Sequence, residues 1–333
     1  ADAHMDSVPV LAVTGQVATS VIATDAFQES DVVGVMMPVC KQSYMPLSVE
    51  EIEETIHEAL YVAKTGRGGP VVVDIPKDIQ AMETKNGYDF DPQTYEPDLP
   101  GFRYPSEPDY HLLKKAVAMI NKSERPIILC GHGVIASNAG KKLRTFAEKA
   151  NIPIAFTIHG LSALPVDHPL SLGMVGMHGT VEANRALLNC DLMISFGMRF
   201  DDRVTGDLKK FGVDAEVIHV EIDASEIDKN VKTSLAINAD ANRVLKILAK
   251  DPECITKPRH AWFEQIKIYR AEISEQVQAD IEKGVGSEGQ LLMKTVVKKL
   301  SDVTGGKDIV VSDVGQHQMI LARFYNFQTT NSW

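Results

Sequence analysis

Short, mostly apolar runs alternate along this chain with longer stretches in which apolar residues return every three or four positions. The first runs are VPVLAVTG (8–15), DVVGVMMPV (31–39) and PVVVDIP (70–76). Each has the length and composition of a strand buried on both faces. Between the last two, SVEEIEETIHEALYVAKTG sets Ile52, Ile56, Ala59, Leu60 and Ala63 at helical spacing, with Ser48 as the expected cap and Gly66 as the stop. Strand, helix and strand in that order predict a parallel βαβ unit.

Periodicity is then lost over 81–107, which carries four prolines and many acids and reads as an interdomain connection. A second unit runs over 108–252. Its helices are expected at DYHLLKKAVAMINKS, AGKKLRTFAEKAN, VEANRALLNC and ANRVLKILAK. Its five expected strands are PIILC, IPIAFT, LMISF, VIHVEID and LAINA, with a long loop rich in Gly, Pro and His before residue 180. This is the pattern of a complete doubly wound domain, whose ligands bind beyond the carboxyl ends of the strands. The loops at those ends are 131–136, 157–160, 197–206 and 221–226. Residues 253–285 read as a helical connection, and 286–333 as the opening of a third unit, with the helix QLLMKTVVKKL and the strand DIVVSDVG. The chain opens ADAHMDSV, without an initiator Met, and stops at NSW, so we read it as an internal piece of a longer protein.

Composition narrows the partners. With 333 residues, 44% hydrophobic and 24% charged, the chain reads as globular with more than one domain. Its net charge of −11, with both signs interspersed, argues against nucleic acid or an anionic membrane as partner. Cys40, Cys130, Cys190 and Cys254 form no short pair, which disfavours a zinc ribbon or a redox CxxC and fits a reducing, cytoplasmic setting. An organelle-targeting segment ahead of residue 1 stays open.

Four segments hold candidate chemistry. GHG (131–133), after a strand and before a helix, suits close approach to a phosphate or ribose, although alone it is more often a plain turn. GMVGMHGT (173–180) places three glycines and a histidine before a helix start, equally readable as an anion cradle or a loop needing positive φ. GMRFDDRVTG (197–206) flanks Asp201 and Asp202 with Arg199 and Arg203. An arginine fork suits carboxylate or phosphate, whereas a surface ion-pair cluster would contribute only about 0–1 kcal/mol per pair. The position at a strand's carboxyl end tilts the reading toward a site. Glu221 or Asp223, ending VIHVEID, stands where nucleotide-binding domains place a ribose acceptor. The residues by themselves indicate a nucleotide-binding α/β domain between two partial α/β domains, and name no reaction.

Taken in order, ADAHMDSVPVLAVTGQV, TDAFQE, GRGGPVVVDIPKDIQ, HPLSLGMVGMHGT, RFDDRVTG, HVEIDASEIDKN and DVGQHQM strongly resemble the catalytic subunit of the acetohydroxyacid (acetolactate) synthase family, from residue 1 to 333. The resemblance implies a three-domain thiamine-diphosphate enzyme architecture: the C-terminal part of a pyrimidine-binding domain (1–80), a linker (81–107), a complete central FAD-binding domain (108–252) with a doubly wound parallel sheet, a helical connection (253–285) and the start of a diphosphate-binding domain (286–333). It implies decarboxylation of pyruvate and condensation of the two-carbon unit with pyruvate or 2-ketobutyrate, in branched-chain amino-acid biosynthesis. The cofactors implied are thiamine diphosphate, a structural FAD and Mg2+, whose ligands lie beyond residue 333. The partners implied are a second copy of the chain, with the active site at the subunit interface, and a small regulatory subunit.

Carried over motif by motif, Gln28 lies near the reacting carbon with Phe27 beside it, Lys77 lines the substrate channel, and Arg203, with Asp202 nearby, binds the carboxylate of the second keto acid. The implied FAD contacts are Arg67, Gly131, His132, Gly133, Thr157, His178, Gly179, Thr180, Gly197, Arg199, Asp201, Glu221, Ile222 and Asp240, while Gly315, Gln316 and His317 hold the thiamine diphosphate phosphates. The sequence departs from the family pattern at Gly68, where GRPGP is usual, at Ala23 in ATDAFQE, and at Ala18, a frequent proline. This piece alone is expected to be inactive. Competing readings are glyoxylate carboligase, pyruvate oxidase, a non-catalytic FAD-binding module, or a sirtuin-type deacylase, which would need paired zinc cysteines.

Overall fold

A computed structural model describes residues 1–84, 97, 99–102, 107–254, 256–286 and 288–333. Two compact units divide the chain, Ala1–Tyr104 and Pro105–Trp333. Most of the expected connection 81–107 lies outside the described residues.

The first unit is a three-stranded parallel sheet, β1 (Val10–Gln16), β2 (Gln42–Tyr44) and β3 (Pro70–Pro76), in the order β1-β3-β2. Val71, Val72 and Val73 of the central strand are fully buried, and helix α1 (Glu51–Lys64) lays Ala59, Val62 and Ala63 against it. The helix begins later than Ser48 suggests. Ser48 offers only its carbonyl, which accepts from Glu51 N at 3.3 Å, and three acids in the first turn favour the helix dipole in place of a side-chain cap. At the other end the Lys41 ammonium donates to the carbonyls of Val62, Thr65 (2.8 Å) and Arg67 (2.9 Å), pairing oxygens the helix leaves open.

The expected strand DVVGVMMPV is not a strand. Val32–Met36 is a helical turn, followed by a 3-10 turn over Met37–Val39. Asp31 caps that turn by accepting from Gly34 N at 2.9 Å, a local bond that outcompetes extension. Val35 and Met37 stand 66% and 68% exposed, and the short β2, which its composition does not announce, takes the place in the sheet.

The second unit holds a six-stranded parallel sheet: β4 (Pro126–Cys130), β5 (Ile154–Phe156), β6 (Ser171–Met174), β7 (Leu192–Phe196), β8 (Glu216–Glu221) and β9 (Leu235–Asn238). Five were expected; the sixth, β6, sits inside the Gly- and Pro-rich loop, where only four residues pair and the β5–β6 register shifts. The order is β6-β5-β4-β7-β8-β9. Helices α2 (Tyr110–Lys122), α3 (Gly140–Ala150) and α5 (Ala241–Leu248) cover one face, where Leu113, Ile120, Phe146 and Leu245 meet Ile128, Cys130 and Ile194. Helices α4 (Val181–Asn189) and α6 (His260–Lys283) cover the other, where Ala183, Leu187, Trp262 and Ile266 meet Ile127, Leu129 and Met193. The alternation along β4 divides its side chains between these two layers, as period-2 geometry requires. The four cysteines are buried and unpaired, and burial pushes the Cys190 thiol up to about 12, leaving it an unreactive core residue.

Helices α7 (Met293–Thr304) and α8 (Gln316–Phe324) follow, and Val297, Ala322, Tyr325 and Phe327 join the first core layer. In this structure residues 286–333 therefore belong to the same compact unit as the sheet. DIVVSDVG forms no strand: Ile309, Val311 and Val314 are 76%, 89% and 81% exposed, with no neighbouring strand to supply a ladder. No helix among the described residues is long and apolar enough to cross a membrane.

Candidate functional site

Strand order in the second unit runs outward in opposite directions from the β4–β7 pair, which makes that pair the topological switch point. The loops leaving these two strands touch. Gly131 N donates to Phe196 O at 2.9 Å and Gly133 N to Gly197 O at 3.0 Å. A Cβ on Gly131 would lie 2.2 Å from the Gly197 carbonyl, and one on Gly197, whose φ is +58°, only 2.5 Å from Gly133 Cα. The GHG glycines thus serve close contact between two loops, which lie side by side across the strand ends. Thr157 joins them, its amide on Cys130 O at 3.0 Å and its hydroxyl accepting from Gly160 N at 3.1 Å. The His132 and His159 rings meet edge to face at 5.9 Å.

The RFDDR segment is held in a strained shape. Phe200 has φ +49°, which a bulky residue adopts only when its surroundings impose it. Two side chains that sequence reasoning missed do so: His219 Nε2 donates to Met198 O at 2.9 Å, and Asn230 Nδ2 donates to Phe200 O at 3.0 Å. The Phe200 and His219 rings also pack edge to face at 5.0 Å. Because a carbonyl only accepts, Nε2 carries the proton in this arrangement. The two arginines then part. Arg199 Nε lies 3.5 Å from Asp201 Oδ2, the pair being 30% and 28% exposed. Asp201 also caps the turn Asp202–Thr205 by accepting from Arg203 N (3.0 Å) and Val204 N (3.3 Å). Arg203 and Asp202 stand in solvent at 74% and 81% exposure, 3.8 Å apart.

The 173–180 loop is tied to the same segment. Met177 N donates to Arg203 O at 2.9 Å, and Asn184 brackets Gly176 with bonds of 2.8 and 2.9 Å to its amide and carbonyl. Thr180 caps α4 by accepting from Ala183 N at 3.3 Å, and His178 and Gly179 sit between these anchors, His178 exposed. Beyond β8, Glu221 is buried, its carboxylate accepting from Asp223 N at 3.2 Å. Asn238 Nδ2 ties down the carbonyls of Glu221 and Ile222 at 2.8 and 3.0 Å. Asp240 caps α5 through Arg243 N at 3.1 Å, so its position has a structural reason of its own.

Burial holds His219 below the usual imidazole range, while its bond to the Met198 carbonyl pulls weakly the other way. A histidine with a lowered folded value binds its proton more readily when unfolded. The stability it contributes is full above its unfolded value of about 6.5 and declines as pH falls from there toward the folded one. We expect His219→Gln to flatten the stability–pH curve across that interval in denaturant titrations; an unchanged slope would remove His219 as its cause.

The first unit carries the remaining residues. Ala23, Asp25 and Gln28 all have positive φ (65°, 59° and 66°), an accumulation of strain in one six-residue loop. Glu29 braces it, accepting from Ala23 N and from Ala26 N at 3.0 Å, and those amides hold its carboxyl below the usual range. Gln16 ties the loop's far end to buried Asp74, bonding Ser30 O at 2.7 Å and Asp74 at 2.9 Å. Phe27 is 89% exposed, and Gln28 and Lys77 are exposed too. Lys77 opens the turn Lys77–Gln80, which Asp78 anchors through Thr19 N at 2.9 Å. Thr19 also holds the Asp78 carboxyl low. Arg67 Nε donates to Ser7 Oγ at 2.8 Å. At Gly68 a Cβ would come within 2.8 Å of the Ser7 carbonyl, which gives this departure a local reason.

These groups suit the cofactors the sequence suggests. Strands β7, β8 and β9 form the second half of the doubly wound sheet, and buried Glu221 ends its middle strand, where an acid meets ribose hydroxyls. Arg199 and the start of α4 provide donors for a diphosphate. Gln316 and His317 stand exposed in the first turn of α8, with Gly315 before them, a placement suited to phosphate.

Residues 113–248 match the family model described as thiamine pyrophosphate enzyme, central domain. The whole chain is 41% identical to the acetolactate synthase large subunit of Corynebacterium glutamicum, covering 52% of that protein. It is 40% identical to a probable acetolactate synthase large subunit of Methanocaldococcus jannaschii, covering 56%. It is 38% identical to the chloroplastic acetolactate synthase 1 of Oryza sativa subsp. japonica, covering 50%. The chain spans about half the length of these relatives.

Proposed function

We propose that this chain, a homologue over its full length of acetolactate synthase large subunits with the central domain of a thiamine pyrophosphate enzyme, is part of a catalytic subunit that makes 2-acetolactate or 2-aceto-2-hydroxybutyrate. The reaction decarboxylates pyruvate and joins the two-carbon unit to a second pyruvate or to 2-ketobutyrate. The observation that carries this reading is the division of RFDDR: Arg199 turned to Asp201, Arg203 presented to solvent from a braced turn. A flavin-holding module without activity would have no use for the second arginine, nor for the strained loop that displays Phe27 and Gln28.

Thiamine diphosphate, when bound, supplies the electron sink for decarboxylation. The chain's own residues bind and orient. Arg203 grips the carboxylate of the second keto acid with its two-pronged fork, and Asp202 steers it. Gln28 offers a neutral carboxamide to the reacting carbonyl, Phe27 shields that region from water, and Lys77 draws anionic substrate inward. Gly315, Gln316 and His317 hold the diphosphate. FAD, lying on the 131–133 loop, Thr157, the 178–180 segment, Gly197, Arg199, Asp201, Glu221, Ile222 and Asp240, has a structural role. Residues 1–80, 108–252 and 286–333 correspond on this reading to the pyrimidine-binding, central and diphosphate-binding domains, and the enzyme works as a homo-oligomer with a regulatory subunit. The full-length protein, given pyruvate, thiamine diphosphate and Mg2+, is expected to form acetolactate, and Gln28→Ala to lower kcat by about 10- to 100-fold, the scale of one lost polar contact to the transition state. Carbon dioxide release without acetolactate would contradict the assignment.

A further inference from the structure

Phe27 and Gln28 form the tip of a four-residue turn whose two ends grip each other twice. Glu29 N donates to Ala26 O at 3.0 Å, and Ala26 N donates back to the Glu29 carboxylate at 3.0 Å. The other oxygen of that carboxylate accepts from Ala23 N, six residues back. Gln28 takes the third position of the turn with φ +66°, a place where positive φ usually selects glycine or asparagine. Phe27 is 89% exposed and Gln28 is exposed beside it, so burial of their own side chains does not impose this shape. Strain of this kind persists only where other bonds over-determine the backbone, and Glu29 supplies two of them.

The ends of the loop are pinned elsewhere, by two aspartates of the DIPKD segment. Asp74, fully buried in β3, accepts from Thr14 Oγ1 at 2.7 Å and from Gln16 Nε2 at 2.9 Å, and the same Gln16 nitrogen donates to Ser30 O at 2.7 Å. Asp78 accepts from Thr19 N at 2.9 Å and from the Thr19 hydroxyl. These anchors fix where the loop leaves the sheet and where it returns. They do not touch the tip, whose backbone would keep several conformations between fixed ends. Glu29 is the side chain that ties the inside of the loop to itself. Two amides need two acceptor oxygens, which a carboxylate has. A carboxamide of the same size keeps one oxygen and turns an NH2 toward the other amide.

We propose that Glu29 is a positioning residue for the reaction and acts through Gln28, its carboxylate locking the Ala26–Glu29 turn so that the Gln28 carboxamide is presented in one orientation. The inference rests on the role proposed above for Gln28. Four forms of the full-length enzyme test it: the unchanged protein, Gln28→Ala, Glu29→Gln and the double variant. Glu29→Gln should lower kcat for acetolactate formation about tenfold and leave KM for pyruvate within about twofold, because a misoriented group at the reacting centre costs rate more than ground-state binding. In the double variant the loss should be no greater than in Gln28→Ala alone, since residues that act as one unit are not additive. Hydrogen–deuterium exchange in a peptide spanning 20–31 should quicken in Glu29→Gln, with β1, β3 and the melting midpoint unchanged. Faster exchange with kcat unchanged overturns the proposal and leaves Glu29 a brace without a part in the rate. A loss that multiplies with that of Gln28→Ala overturns it as well, because Glu29 then acts by another route. An effect of Gln28→Ala without one of Glu29→Gln removes Glu29 alone, whereas kcat intact in Gln28→Ala removes the role of Gln28 and this proposal with it.

Discussion

Gly197→Ala is expected to destabilise the Pro105–Trp333 unit by about 2–5 kcal/mol, the sum of forcing an L-residue into a left-handed conformation and of overpacking against backbone. Its Cβ would sit 2.5 Å from Gly133 Cα, and neither neighbour is a side chain that can swing aside. For a unit of this size the melting midpoint should fall by roughly 10 °C. Gly305→Ala is the control. Gly305 has φ +60° at the C-terminal end of α7 with nothing within 4 Å of a built Cβ, so it carries the conformational cost alone, about 1 kcal/mol. Equal melting shifts for the two variants would show that the contact between the β4 and β7 loops is not what fixes this glycine.

Arg203→Ala in the full-length enzyme is expected to lower kcat/KM for the second keto acid by about 100-fold, equivalent to about 2.7 kcal/mol, the upper range for a charge-assisted bond made by one side chain. Arg203→Lys should restore only part of this, because an ammonium offers no planar fork. Little change in stability should accompany either substitution, since the side chain is 74% exposed and its ion pair to Asp202 lies at the surface. An unchanged specificity constant for both keto acids in the alanine variant would remove Arg203 from the acceptor site. Arg199→Ala should behave differently, weakening FAD retention while the full-length enzyme, saturated with FAD, keeps its preference between acceptors.

Much of the fold was legible because strands such as β3, β4 and β7 are buried almost throughout and its helices are amphipathic, so PIILC, LMISF and PVVVDIP announce themselves by composition. Strand β1 pairs as its composition suggests, yet it is not buried on both faces, Val13 standing 57% exposed. The errors have physical reasons. DVVGVMMPV looks like a strand, yet Asp31 caps a helical turn there and its apolar side chains stay half outside. SLGM is too short, too rich in glycine and too irregular in register to stand out from its loop. DIVVSDVG has strand composition and no strand beside it to complete a ladder. At the site, the resemblance gives Arg199 and Arg203 different partners, while the bracing that shapes the turn between them was not legible. His219 and Asn230 hold the Phe200 turn from 19 and 30 residues away. No spacing rule links such residues; only the pairing of β7 with β8 brings His219 to the Met198 carbonyl.

The claim that the crevice beyond β4, β7 and β8 takes FAD is tested most directly by following the thermal melt of this chain with FAD, with NAD+ and without ligand. Binding to the folded state alone raises the midpoint, by roughly 2.7 kcal/mol of added stability at a hundredfold excess over the dissociation constant. The expected result is a saturable rise with FAD, lost in Arg199→Ala, and none with NAD+. A cooperative melt that FAD leaves in place, or that NAD+ raises equally, would contradict it.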